Sequence, residues 1–123
     1  MPISYSVDRE RGTVISLWTG EVTAAELRAH WAEVLDDPEA RAVARTVADL
    51  REGTIGFSGA ELRLAVEQVA APRLMTLRWH NAIVVARPEQ YGVSRQFDVF
   101  SDVLSENAIF HSVDEAVAWI RGQ

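Results

Sequence analysis

Three segments of this chain open with a Ser or Thr followed three residues later by Glu: Thr23 with Glu26, Ser58 with Glu61, and Ser112 with Glu115. In such a pair the hydroxyl accepts from the third helical amide while the Glu side chain reaches back to the capping amide. Each pair is followed by apolar residues at helical spacing, which marks three helix starts. The first helix is predicted over residues 24–35, with Leu27, Trp31, Val34 and Leu35 on one face and Asp36-Asp37-Pro38 as its stop. The second is predicted over 59–71, with Leu62, Ala65, Val66 and Val69 inward and Pro72 ending it. The last covers 113–121 and stops at Gly122. A fourth helix lacks the pair. It is predicted from Pro88 to about Leu104, on the spacing of Val93, Phe97, Phe100 and Leu104.

Strand signals lie between these helices. Residues 3–7 and 13–19 alternate apolar and polar around a polar turn at 8–12, which reads as an antiparallel hairpin. Residues 46–50, 82–86 and 108–110 are short further strands; the run Ala82-Ile83-Val84-Val85-Ala86 is apolar throughout, as a strand covered on both faces is. The order ββαβαβαβα implies an α/β fold with a mixed, mostly parallel sheet. With 123 residues, 48% hydrophobic and 24% charged, the chain is expected to form one domain over residues 1–123.

Composition removes several classes of function. The net charge is −6, and all 12 basic residues are Arg, so nucleic acid is not an expected partner. With no Cys, thiolate catalysis and Cys-ligated metals are ruled out. His30, His80 and His111 are scattered and none pairs with a carboxylate at metal-ligand spacing, so no metal site and no cofactor are expected. No apolar run is long enough to span a membrane, and residues 1–5 carry no signal-peptide pattern; a cytoplasmic location is the expectation.

The order of elements, together with Ala48-Asp49-Leu50 at a strand end and Phe57-Ser58-Gly59 at a helix start, resembles the STAS, or SpoIIAA-like, family over essentially the whole chain. That family includes bacterial anti-sigma-factor antagonists, cytoplasmic domains of anion transporters and small uncharacterised bacterial proteins. Its members carry Asp-Leu-Ser, a short spacer, then Ser-Ser-Gly or Ser-Thr-Gly, where a partner kinase phosphorylates the last hydroxyl before Gly. Asp49, Leu50, Ser58 and Gly59 match this pattern; Arg51 stands where the family has its first Ser, and the spacer 52–57 is longer and lacks the Asp before the Ser pair. The chain therefore looks more like the uncharacterised branch than a phosphorylated antagonist.

The candidate site is a corner at the carboxyl edge of the sheet, where open α/β folds place ligands. It comprises Asp49, Thr54, Ser58 and Gly59, with Ser58 suited either to capping or to phosphorylation and anion binding. Gly53, Gly56 and Gly59 read as a loop that needs positive φ. Arg87, Glu89 and Tyr91 form a second rim loop beside it. A candidate interface lies at Leu74, Met75, Leu77 and Trp79, in what reads as a connection, with Trp119 and Leu64 as apolar residues on the outer sides of their helices. Arg73, Arg78, Arg87 and Arg95, offset only by Glu89, make residues 73–97 locally basic at +3.

The leading reading is a non-enzymatic protein-interaction and regulatory module that forms a homodimer through the 74–79 segment. A second reading is a small-molecule or lipid-binding domain whose cavity is lined by Trp18, Trp31, Phe97 and Phe100. A third, a hydrolase using Ser58, requires a His within reach of its hydroxyl.

Overall fold

The computed structural model describes residues 2–123. Strands β1 (Ile3–Asp8), β2 (Thr13–Thr23), β3 (Arg45–Gly56), β4 (Trp79–Val84) and β5 (Ser105–Phe110) form one sheet in the order β1-β2-β3-β4-β5. The hairpin β1–β2 is antiparallel and every later pairing is parallel. Its turn is closed by the Asp8 carboxylate, which accepts from the Arg11 amide at 3.1 Å, and by Gly12, whose φ of 61° lies in the left-handed region that a side chain disfavours.

Helices α1 (Ala24–Asp36), α2 (Pro38–Val43), α3 (Gly59–Ala65), α4 (Ala71–Leu74) and α5 (Pro88–Phe100) cover one face of the sheet, and α6 (Val113–Arg121) covers the other. The central strands are thus sandwiched: Val47, Ala82 and Val84 pack under Ala116 and Ile120 of α6, while Leu50, Ile83 and Val85 face the helical layer. Two of the three Glu-paired caps are complete. Thr23 Oγ1 accepts from Glu26 N at 3.3 Å while Glu26 Oε1 accepts from Thr23 N at 3.2 Å. Ser58 and Glu61 repeat the exchange at 3.1 and 2.9 Å. At α6 only the hydroxyl half forms, from Glu115 N to Ser112 Oγ at 3.4 Å.

The structure departs from the sequence expectations in several places. Asp37, expected only to stop α1, also caps α2 by accepting from Glu39 N at 2.9 Å, with Pro38 in the first turn. Pro72 does not end the second helix. A π-helical turn (Val66–Ala70) precedes it and the chain continues as α4, where Pro72 sits in the first turn and needs no N–H. Nearby, the Val69 carbonyl accepts from Arg73 Nη1 at 3.0 Å.

Strand β3 does not stop at Leu50 but runs to Gly56, paired with an equally extended β2. Leu17 faces Asp49 and Thr19 faces Glu52, so two β3 residues oppose Trp18 in a bulge that re-aims the ribbon. Gly53 and Gly56 therefore lie in a strand, at ordinary negative φ, and not in a loop that needs positive φ. They are small because the ribbon is tight. A Cβ on Gly53 would come within 2.7 Å of Trp18 Cβ, and one on Gly56 within 2.7 Å of Val22 O.

Strands β4 and β5 each begin three residues earlier than expected, at Trp79 and Ser105, and α5 ends at Phe100, where Ser101 Oγ donates to Phe97 O at 2.7 Å. The early start of β4 removes most of the expected interface. Trp79 is 1% exposed and Leu74 6%, both in a core cluster with Val14, Val34, Leu35 and Ala70, against which Leu77 packs half-buried. Of that segment Met75 stands out, at 77% exposure. Leu64 is exposed as expected, but Trp119 is half-buried, its ring 6.0 Å from that of Phe110. The local excess of Arg is dispersed as well: Arg73 pairs with Asp36 at 3.1 Å and Arg87 with Glu89 at 3.0 Å.

Candidate functional site

Two features qualify as sites: a rim at the carboxyl ends of β3 and β4, and a cavity between the sheet and the helical layer.

The rim is built around Gln90, which is fully buried. Its Oε1 accepts from the amides of Ala86 at 2.8 Å and Arg87 at 3.1 Å, and its Nε2 donates to the carbonyls of Leu50 at 2.7 Å and Gly53 at 2.9 Å. One side chain thus ties the start of α5 to the bulged part of β3. Arg87 adds a hydrogen bond from its guanidinium to the Gly53 carbonyl. On the solvent side, Tyr91 is exposed, its ring stacked 6.5 Å from that of His111. Thr54 and Ser58 are exposed, and Gly59 abuts α5, where an added Cβ would lie 3.1 Å from Gln96 Nε2.

Thr54, Ser58, Gly59, Arg87, Glu89 and Tyr91 therefore share this end of the fold, but Asp49 is engaged elsewhere. Its two carboxylate oxygens accept from Arg51 Nε and Nη2, each at 2.9 Å. Burial raises the Asp49 pKa, but the Arg51 hydrogen bonds and charge outweigh it and hold the carboxyl below its usual range. The Ser58 hydroxyl is bound to the Glu61 amide, and a phosphate on it would stand beside the Glu61 carboxylate, a like charge. Sequence reasoning missed Gln90. Its signal is a Gln three residues beyond Arg87 with Pro88 between them, the Gln form of the capping pair.

The cavity has a volume of about 100 Å³. Its floor is the helix-facing row of β2, β3 and β4, including Ser16, Ala48 and Ile83, and its roof includes Leu27, His30, Leu62, Val93 and Phe97. Trp18, Trp31 and Phe97 line it as the aromatic content of the chain predicts, with Trp31 and Phe97 rings 5.4 Å apart; Phe100 packs on the core outside the cavity wall.

His30 is the titratable residue of this wall. Its Nε2 lies 3.0 Å from Ser16 Oγ, and the Tyr5 ring meets it edge-on at 5.8 Å. Burial pushes its pKa down to about 4, so the ring is neutral at pH 7. A Ser and a His at this distance have the spacing of a nucleophile and its base. Catalysis also needs donors for a developing oxyanion. Ser16 sits mid-strand, paired with Tyr5 on one side and Ala48 on the other, so its backbone is held in the sheet. A base with a pKa near 4 is also poorly matched to neutral pH. No group of three His, Cys, Asp or Glu side chains that could hold a metal occurs among the described residues. Among the same residues, no helix is long and apolar enough to cross a membrane.

No family model matches the chain, and no curated protein matches it. Solved structures do. An anti-sigma factor antagonist from Mycobacterium paratuberculosis is similar over 97% of this chain and 94% of its own, with a TM-score of 0.60 at 18% identity. An uncharacterised protein of the DUF3478 family with a SpoIIAA-like fold, from Shewanella loihica PV-4, is similar over 96% of this chain and 93% of its own, with a TM-score of 0.60 at 16% identity.

Proposed function

We propose that this chain, whose fold is the SpoIIAA-like fold of STAS-type domains, is a non-enzymatic regulatory module that binds a protein partner through the rim formed by Thr54, Ser58, Glu89 and Tyr91. The observation that carries the reading is the match of fold, along nearly the whole of both chains, to an anti-sigma factor antagonist. The rim supports it physically. Gln90 fixes its backbone from beneath, so its exposed side chains form a surface that loses little freedom on binding. The partner is a second type of protein, because Trp79 and Leu74, the anchors expected for self-association, are spent in the core. The module works in a bacterial cytoplasm.

Crosslinking and affinity capture from a bacterial lysate test the reading, with three baits compared: wild type, the rim double variant Ser58→Asp/Tyr91→Ala, and Val103→Glu, an exposed position before β5 at the opposite end of the sheet. A partner held by wild type and by Val103→Glu, and lost by the rim variant at unchanged melting temperature, supports it. A partner that the rim variant retains overturns the placement, and capture of no specific protein overturns the interaction reading itself.

A further inference from the structure

His30 lines two spaces. One is the cavity of about 100 Å³. The other is a surface groove between β1 and α1, bordered by Ile3, Tyr5, Ala29, Glu26 and Glu33. His30 is the residue common to the walls of both spaces.

We propose that the cavity is a binding site for a small uncharged molecule with an apolar body and one hydroxyl or carbonyl group, and that His30 is both its polar anchor and the door through which it enters from the β1–α1 groove. Three observations define this class. Size comes first. Cavities of about 150 Å³ lined by Leu, Ile and Phe hold benzene, so a space of about 100 Å³ is too small for a six-membered ring as it stands and takes one only when the His30 ring swings toward the groove and adds the volume it vacates. Polarity comes second. The wall is mostly apolar and aromatic, and the Ser16–His30 pair gives it a local polar point. A hydroxyl and a neutral imidazole bonded to each other leave one further donor and two further acceptors between them, whichever tautomer the ring adopts. The other polar side chains on the wall are each tied to the protein framework: Thr46 accepts from Trp79 Nε1 at 2.9 Å, Asn81 donates to Asn107 at 2.9 Å, and Ser94 donates to the Gln90 carbonyl at 2.8 Å, whereas Ser16 and His30 are bonded to each other.

Charge comes third. The wall contains no Arg, Asp or Glu, and the groove outside carries Glu26 and Glu33. A carboxylate would be repelled on the way in and unpaired once inside, and burying an unpaired charge is prohibitive. The ligand is therefore neutral and not a fatty or aromatic acid.

Phenol is the probe, with benzoate as the anionic control and toluene as the apolar one. Each is titrated into the protein by ¹⁵N-resolved NMR and by thermal unfolding. Phenol is expected to raise the melting temperature saturably, because a ligand that binds only the folded state stabilises it, and to shift the amides of Ser16, Trp31 and Phe97. Benzoate at the same concentration produces neither change. Ser16→Ala weakens phenol at least threefold and leaves toluene unaltered, and His30→Ala speeds phenol exchange at least tenfold. Ala48→Ile fills the floor and abolishes binding of both; should that variant not fold, Ser94→Leu fills the roof to the same end. The proposal is overturned if phenol does not saturate, if benzoate binds as well as phenol, or if the filled variant still binds. Exchange unaltered by His30→Ala removes the door.

Discussion

The indole Nε1 of Trp79, the first residue of β4, donates to Thr46 Oγ1 of β3 at 2.9 Å, and both side chains are buried. A Trp enters a core when its N–H finds a partner, and the polar Thr46 in the neighbouring strand supplies one. Trp79→Ala should therefore act as a core truncation and not as an interface lesion. It should cost about 3–5 kcal/mol in urea unfolding and leave the sedimentation mass unchanged. Thr46→Val, which orphans the indole, should cost about 1–3 kcal/mol. A Trp79→Ala protein of near-wild-type stability but altered mass would contradict this account.

Ser58 should behave as a cap. Ser58→Ala is expected to lower stability by about 1 kcal/mol, and Ser58→Asp to be nearly neutral because Asp caps as well as Ser. Denaturant midpoints of the two variants measure the difference directly.

Gln90 should be among the least replaceable residues. Gln90→Leu leaves the Leu50 carbonyl and the Ala86 and Arg87 amides without their partner and takes from the Gly53 carbonyl one of its two donors, Arg87 being the other. At about 1–3 kcal/mol per orphaned buried group, a loss of at least about 3 kcal/mol is expected. Gln90→Glu keeps the acceptors but turns a carboxylate oxygen toward two carbonyls. Its folded-state pKa must rise, so its deficit should be largest at neutral pH and shrink as pH falls, which pH-dependent unfolding would show.

His30 should impose an acid limit on stability. Its folded pKa is near 4, below an unfolded value of about 6.5. Between those values the unfolded chain binds the proton and the folded chain does not, so stability is full above about pH 6.5 and falls as pH drops toward 4. Asp37, whose carboxyl is held low first by the Tyr5 hydroxyl at 2.8 Å, and Asp49, held low by Arg51 against its own burial, extend the decline to still lower pH. His30→Gln should flatten the slope between pH 6.5 and 4 and leave the steeper acid limb. An unchanged slope in that window would assign the titration elsewhere.

Local chemistry was written in the sequence. A capping hydroxyl and its Glu lie within four residues of each other, so Thr23, Ser58 and Ser112 announce the starts of α1, α3 and α6, and alternation in residues 3–7 announces the hairpin, because each signal is read by near neighbours. The same local rules misread Pro72, since a π turn upstream can absorb a proline, and they misread Gly53 and Gly56, since a glycine that avoids Trp18 or Val22 across the ribbon looks like one that turns. What remained to the tertiary structure were the pairings at long separation. Trp79 is core because Thr46 lies in the adjacent strand, Gln90 is a latch because the β3 bulge brings carbonyls to it, and His30 is held in place because Ser16 and Tyr5 flank it. Each of these depends on a partner at least fourteen residues away, which no spacing along one segment can specify; only the packing of the helical layer on the sheet brings them together.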